Sequence, residues 1–219
     1  MSRNEHARKG ASRPAKRKTD QRIVRTRDRL GDAIIQLIQE KPFDSVTVQD
    51  VLDRAGVGRS TFYVHYSDKD DLFISDVEEG LGMMATALSR NKDKSDRIFP
   101  VREFFAHVAD VKRFYAALVE SGKINDIWEL AQGLFARGIA ERLAEIPRAR
   151  GLDRARRAAL GQAHAGALIS LLKWWLDQSK RESPEHMDEL YHSMVWSGVN
   201  AGASQTTPAA SSSAMRKRM

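Results

Sequence analysis

The chain has 219 residues, of which 42% are hydrophobic, and it contains no cysteine. The lack of cysteine excludes disulfides and cysteine-based metal or nucleophile chemistry. No apolar run is long enough for a transmembrane helix, and the basic N-terminus lacks the apolar segment of a secretory signal. We therefore expect a soluble cytoplasmic protein that does not engage a membrane.

The net charge of +7 is concentrated near the two ends of the sequence. Residues 1–29 contain 11 Lys and Arg against 3 Asp and Glu, a net charge of +8. Residues 30–215 carry a net charge of −4, and Arg216, Lys217 and Arg218 add +3. A positive segment beside a mildly acidic body is typical of a protein that binds a polyanion.

The N-terminal part predicts a basic arm followed by two helices. Residues 1–18 lack apolar periodicity and are expected to be disordered, either as a DNA-contacting arm or as a solubilising tail. A first helix is predicted over residues 19–40, because apolar residues recur at helical spacing from Leu30 to Ile38. The second helix is predicted to begin after Thr47, which caps it together with Asp50, and to end at Gly56.

A very short third helix is predicted from Gly58 or Arg59 to Tyr66. Phe62 and Tyr66 fall on its inner side, whereas Ser60 and Val64 fall on the opposite side. The outer face is therefore small, hydroxylated and aromatic, which suits contacts with phosphates and bases. Spacing alone also permits an ordinary pair of helices with a polar face.

The remainder is predicted to be helical as well. A fourth helix over residues 68–89 is expected to be the only covalent link to a larger domain, and residues 90–97 form a polar connector. Further helices are predicted over residues 100–110, 111–120, 125–146, 160–176 and 184–198. Residues 199–219 are expected to be disordered because they are small, polar and rich in Ser, Ala and Thr.

Residues 19–77 resemble the DNA-binding domain of TetR-family transcriptional regulators. The resemblance is carried by Thr47, by the segments 55–57 and 59–63, and by Tyr66, Lys69 and Leu72. It implies that double-stranded operator DNA is a partner. The residues implied to contact phosphates or base edges are Thr47, Gln49, Arg59, Ser60, Thr61, Tyr63, Val64, His65 and Lys69. One departure is Gly58, which leaves the third helix without a side-chain cap.

The resemblance implies an all-α fold in two parts. Residues 19–68 would form a three-helix helix-turn-helix DNA-binding domain, and residues 69–198 a helical ligand-binding and dimerisation domain. The last two helices would pair with those of a second copy, and apolar excess there supports this. The expected dimer residues are Leu168, Leu172, Trp175, Met187, Leu190, Tyr191 and Met194. The expected residues for an unidentified small-molecule effector are Phe104, His107, Phe114, Tyr115, Trp128, Phe135, His164 and Trp174; aromatic residues at such spacing also commonly form an ordinary core.

No motif for enzymatic chemistry, a metal or a cofactor is present, so we expect no enzyme activity, no cofactor and no metal site. The function expected is that of a homodimeric repressor released from its operator by a small hydrophobic ligand. The alternatives are a ligand-independent DNA-binding regulator and, with less support, a helical binding module or an enzyme without DNA binding.

Overall fold

The structure, a computed structural model, describes the backbone of residues 13–120 and 122–203, and the side chains of residues 21–197 except 112, 113, 117, 120 and 121. This described part is all-α. Its helices are α1 (Arg13–Glu40), α2 (Val48–Ala55), α3 (Arg59–His65), α4 (Lys69–Arg90), α5 (Val101–Asp110), α6 (Lys112–Glu120), α7 (Ile124–Glu145), α8 (Arg154–Asp177) and α9 (Pro184–Ala203). Short 3-10 turns cover Phe43–Ser45 and Pro147–Ala149.

Three helices extend beyond their predicted ends. α1 begins at Arg13, before the expected Thr19, because Pro14 is tolerated in a first turn and Ala, Lys and Arg favour a helix. α8 begins six residues before Leu160, since the Asp153 side chain accepts a hydrogen bond from the backbone N–H of Arg156 at 2.8 Å. α9 continues through Gly198 to Ala203. The remaining parts of the two tails predicted to be disordered, residues 1–12 and 204–219, lie outside the described residues.

The chain forms two compact units whose limits differ from the predicted boundary after residue 68. The first unit is Met1–Glu78 with Lys112–Asn125, and the second is Glu79–Val111 with Asp126–Met219. α4 therefore contributes to both units, and α6 belongs to the first. The chain passes between the units at three places, so the expectation that α4 is the only covalent link was wrong.

The core of the first unit is built from one face of each of its helices. Its fully buried side chains include Leu30, Ile34, Val51, Phe62 and Leu72. α6 packs against α1. Phe73 also joins α6 to this core, because its ring lies 5.1 Å from the ring of Phe43 and 5.8 Å from that of Phe114. The spacing of apolar residues within α6 does not predict its packing against α1 and Phe73, because these contacts join residues far apart in sequence.

The core of the second unit is aromatic and closely packed. The ring of Phe135 lies 4.5 Å from that of Phe99 and 5.2 Å from that of Phe104, and all three are buried. At two helix crossings the backbones lie so close that the glycine at the crossing could not carry a side chain. A Cβ on Gly138 of α7 would lie 2.5 Å from the carbonyl oxygen of Ala85 in α4, and one on Gly161 of α8 would collide with the Ala136 carbonyl of α7.

The polar connector between α4 and α5 is held in place by a buried arginine. Arg142 is only 5% exposed, and its guanidinium donates to the carbonyl oxygens of Ser95 at 2.8 Å and Arg97 at 3.1 Å. The same guanidinium lies 3.1 Å from the carboxylate of Glu145. The sequence predicts a polar connector here but does not indicate what holds it, because a charged residue inside α7 is not expected to be buried.

A second polar cluster joins this connector to α9. The guanidinium of Arg97 contacts Glu103 of α5 and, at 2.7 Å, Asp188 of α9. The hydrogen bond from Arg97 lowers the pKa of Glu103 to about 2. Burial raises the pKa of Asp188, but hydrogen bonds from His192 and Arg97 outweigh it and bring that pKa to about 2. Both carboxylates are therefore ionised at neutral pH and keep Arg97 paired.

None of the described helices is both long enough and apolar enough to cross a membrane.

The two close helix crossings predict opposite effects for two pairs of glycine substitutions. Gly138→Ala and Gly161→Ala should each lower the free energy of unfolding by about 1–3 kcal/mol, because backbone must move to admit the methyl group. Gly133→Ala and Gly166→Ala are matched controls on α7 and α8, since their nearest outside atoms are 3.8 Å away. These two control substitutions should raise the free energy of unfolding by about 0.4–1 kcal/mol. Urea unfolding followed by circular dichroism measures all four, and equal stability of Gly138→Ala and Gly133→Ala would contradict the close crossing.

Candidate nucleic-acid interface

α2 begins and ends where the sequence predicts. The Thr47 hydroxyl accepts a hydrogen bond from the Asp50 N–H at 3.1 Å, and the Asp50 carboxylate accepts one from the Thr47 N–H at 2.7 Å, which confirms the predicted capping box. Lys41 donates to the same carboxylate at 2.8 Å. The hydrogen bonds from Lys41 and Thr47 hold the pKa of Asp50 far below its usual range. At the other end Gly56 adopts φ 59°, the left-handed conformation that stops the helix.

α3 is positioned by residues of α1 and by its own buried face. Phe62 is fully buried and Tyr66 is 6% exposed, as predicted from their spacing. The Arg27 side chain donates to the Tyr66 hydroxyl at 3.1 Å. Arg29 donates to the carbonyl oxygens of Ala55 and Gly56, where the α2 dipole is negative and favours a cation. α1 therefore holds the end of α2 and the end of α3.

The opposite face of α3 is free for an outside partner. Val64 is 77% exposed and Tyr63 is 52% exposed, although both are large apolar or aromatic residues. Arg59, Ser60 and Thr61 are exposed as well. The N-cap Gly58 makes no side-chain hydrogen bond to the helix, as its lack of a side chain predicts. This combination presents one cation, hydroxyl groups and two apolar surfaces on a helix narrow enough for a major groove.

Three flanking residues predicted to contact DNA have partners within the protein. The Thr47 hydroxyl is used by the capping box. Lys69 donates to the Phe43 carbonyl oxygen at 2.7 Å, and its ammonium lies 4.4 Å from the centre of the Phe43 ring. His65 is half-buried beside the Tyr66 ring. These side chains lie at the border of the exposed face, and Lys69 would have to leave its carbonyl partner to reach a phosphate.

Gln49 and Arg59, both predicted to face bases, are hydrogen-bonded to each other. The Arg59 guanidinium donates to the Gln49 side-chain oxygen at 2.8 Å. The Gln49 amide nitrogen in turn donates to the Asp53 carboxylate at 2.8 Å, one turn along α2. Sequence reasoning missed Asp53, although its position four residues after Gln49 places the two on one helix face.

The residues predicted to form a ligand site differ in burial, and they are divided between the two units. Phe104 and Phe135 are buried and in contact, as described above. His164 is partly buried, and its Nε2 atom is enclosed without a hydrogen-bond partner in the described part. Trp128 is partly buried beneath the Lys173 ammonium. By contrast, His107 and Trp174 are exposed, and Phe114 and Tyr115 belong to the first unit.

The residues predicted to form a dimer interface divide into two groups. Five of them are at most 2% exposed and belong to the core of their own protomer: Leu168, Leu172, Trp175, Met187 and Tyr191. Leu190 and Met194 are 38% and 45% exposed and lie four residues apart, so they share one face of α9. Only these two of the seven have side chains available to a partner.

Comparison with known proteins gives the same assignment for the N-terminal part. Residues 30–75 match the profile of the bacterial regulatory proteins of the tetR family. The chain is 30% identical over 98 residues to the HTH-type transcriptional regulator AcrR of Shigella flexneri, covering 43% of this chain and 45% of AcrR. It is 28% identical over 93 residues to IcaR, the negative regulator of the biofilm operon icaADBC in Staphylococcus epidermidis, covering 42% of this chain and 50% of IcaR. The chain thus spans half or less of these two relatives.

Solved structures extend the similarity to most of the chain. A TetR transcriptional regulator from Streptococcus agalactiae is 27% identical with a TM-score of 0.54, over 82% of this chain and 98% of that protein. RolR in complex with resorcinol shares the fold at 18% identity and a TM-score of 0.54, over 88% of this chain and all of RolR. Residues 30–75 are therefore a helix-turn-helix domain of the tetR family, a family of transcriptional regulators and not of enzymes, and the fold of the chain is that of solved TetR regulators.

Proposed function

We propose that the protein is a homodimeric transcriptional repressor that binds a palindromic operator through α2 and α3 and leaves it when a small hydrophobic ligand binds. The observation that carries this proposal is the outer face of α3. Arg59, Ser60, Thr61, Tyr63 and Val64 are all exposed there, while Phe62 holds the same helix to the core. Exposed aromatic and apolar side chains on a rigid helix are explained by a partner that covers them.

The assignment of contacts follows from chemistry and position. Arg59 lies at the N-terminal end of α3, the end from which a recognition helix contacts base edges. Ser60, Val64 and Gln49 lie beside it as further candidates for base contact. Thr61, Tyr63, His65, Lys69 and Thr47 flank the face and are assigned to phosphates. The basic residues of α1, with Arg22 and Arg25 exposed, supply attraction that does not depend on DNA sequence.

A second copy of this chain is the partner proposed for the exposed face of α9. Leu190 and Met194 offer adjacent apolar side chains to solvent. A twofold dimer would carry two copies of α3 and would explain a palindromic operator, since each half-site would meet one copy.

The effector proposed is a small hydrophobic or aromatic molecule bound within the second unit. His164 supports this, because its Nε2 atom is enclosed and has no protein partner in the described part. Burial, and to a lesser extent the charge of His192, lowers the pKa of His164, so the imidazole is neutral and can donate to or accept from a ligand. The fold is shared with RolR, which binds resorcinol, a small aromatic ligand.

Arg59→Ala should weaken operator binding by about 1–3 kcal/mol and broaden base preference at one position of each half-site. Tyr63→Phe, which removes only the hydroxyl, should weaken binding to all sequences by a similar factor. Selection from a random DNA pool, followed by fluorescence anisotropy, measures both effects. Arg137→Ala is the control, because Arg137 is an exposed arginine of α7 in the second unit. Unchanged affinity and base preference in Arg59→Ala would show that α3 does not contact DNA as proposed.

Met194→Lys and Leu190→Lys should each convert the dimer to a monomer at micromolar concentration without unfolding it, because a charge would be buried at the interface. Met83→Lys is the matched control, since Met83 is 50% exposed on α4. Leu172→Lys should instead unfold the second unit, because Leu172 is fully buried. Sedimentation velocity with circular dichroism separates these results, and a wild-type monomer would rule out the proposed interface.

A ligand identified by thermal shift should lower operator affinity, and operator should lower ligand affinity by the same factor, roughly 5- to 150-fold. His164→Leu should lower the affinity for the ligand, and it should leave the operator affinity of the ligand-free protein unchanged. His107→Leu is the control, because His107 is exposed. A tight ligand in the second unit that leaves operator affinity untouched would refute release by ligand while leaving DNA binding intact.

A further inference from the structure

A chain of hydrogen bonds crosses the turn between α2 and α3. The Asp53 carboxylate accepts from the Gln49 amide nitrogen at 2.8 Å, and the Gln49 amide oxygen accepts from the Arg59 guanidinium at 2.8 Å. All three residues are exposed, so none of them is held by the core. The position of the Arg59 guanidinium is therefore set by these side-chain contacts.

The carboxylate of Asp53 determines which way the Gln49 amide faces. A glutamine amide has an oxygen that only accepts and a nitrogen that only donates, while a guanidinium only donates and a carboxylate only accepts. Between Asp53 and Arg59 the amide therefore satisfies both neighbours in one orientation and neither in the other. Without Asp53, the amide is free to turn its nitrogen towards Arg59, which gives no hydrogen bond.

This arrangement decides what each side chain can offer a base pair. Gln49 uses one acceptor position of its oxygen for Arg59 and one N–H for Asp53, which leaves it fewer groups than a free glutamine for recognising adenine. Arg59 uses one N–H group for Gln49 and keeps others, which can donate side by side to the O6 and N7 atoms of guanine.

We infer that Asp53 is a positioning residue that acts through Gln49 to hold Arg59 for contact with a guanine in each operator half-site. The inference rests on the proposed function, namely that the exposed face of α3 enters the major groove. It gives Gln49 the role of supporting Arg59, in place of the base contact proposed for it above. It also explains a carboxylate close to a surface that meets phosphates, where its charge by itself opposes binding.

The test measures base discrimination in full-length Asp53 variants. Operator is selected from a random pool with the wild type, and dissociation constants are then measured for that operator and for the same DNA with the Arg59-dependent base pair replaced. Wild type should prefer guanine there by roughly 5- to 100-fold. Asp53→Ala should lose most of this preference, because Gln49 no longer holds the guanidinium in place.

Asp53→Asn distinguishes the effect of holding the Gln49 amide in place from the effect of the negative charge. Its amide oxygen still accepts from Gln49, so discrimination should stay close to that of wild type while affinity for all DNA rises with the loss of a negative charge. In a Gln49→Leu background, Asp53→Ala should have no further effect on discrimination, because the residue through which it acts is already gone. Asp44→Ala, which removes another exposed carboxylate of the first unit, should leave discrimination unchanged.

Each outcome bears on one conclusion. The inference is overturned if Asp53→Ala discriminates as wild type does, if Asp53→Asn loses discrimination to the same extent as Asp53→Ala, or if the Arg59-dependent base is not guanine. An effect of Asp53→Ala that persists in the Gln49→Leu background overturns it too. A wild-type protein that selects no sequence at all would instead refute the proposed DNA-binding function. Circular dichroism on every variant shows whether a loss reflects unfolding.

Discussion

The structure of the helix-turn-helix formed by α2 and α3 depends on the fact that α3 cannot form or orient itself alone. It spans Arg59–His65, about two turns, and an isolated helix of that length is not stable in water. Its N-terminus also lacks a side-chain cap. Stability and direction are therefore imposed from outside, by burial of Phe62 and Tyr66 and by the two α1 arginines that bond Tyr66 and the end of α2. The outer face of α3 can stay exposed because α3 is held by its inner face, by the contacts of Tyr66 at its C-terminal end, and by the end of α2 that precedes it.

The second unit also holds in place a segment that cannot hold itself, but it does so with hydrogen bonds and ion pairs. Its connector between α4 and α5 has no apolar residue from Asn91 to Arg97, so packing cannot hold that stretch. Arg142 replaces packing with hydrogen bonds to two connector carbonyls, and Arg97 bonds the connector to α5 and α9 through ionised carboxylates. A buried guanidinium is tolerated there because nearly all of its donors have partners. α9 thereby has fixed neighbours on its inner side while Leu190 and Met194 remain outside.

Much of the fold could be predicted from the sequence because the signals were local. The capping box at Thr47 and Asp50, the left-handed Gly56 and the inward side of α3 each depend on residues within about one turn of each other. The early start of α8 depends on an equally local cap at Asp153. Other features could not be found this way. The packing of Phe114 on Phe73, the burial of Arg142 and the core position of Leu172 depend on contacts between residues far apart in the chain. Apolar spacing shows that a side chain is buried but not by which helix or which protomer, and so the predicted interface and ligand residues were not separated from the core.

The separation of the two sides of α3 has a consequence for how this protein can diverge. Ser60 and Val64 are exposed, and Val64 is 77% so, which means that neither contributes to the packing that holds the helix. Substitutions at exposed positions of this kind change stability little. On the proposed assignment of these two residues to base contact, a duplicated copy of the gene could exchange their side chains while every core contact of Phe62 is kept. Such a copy could then drift in the DNA that it prefers without loss of its fold.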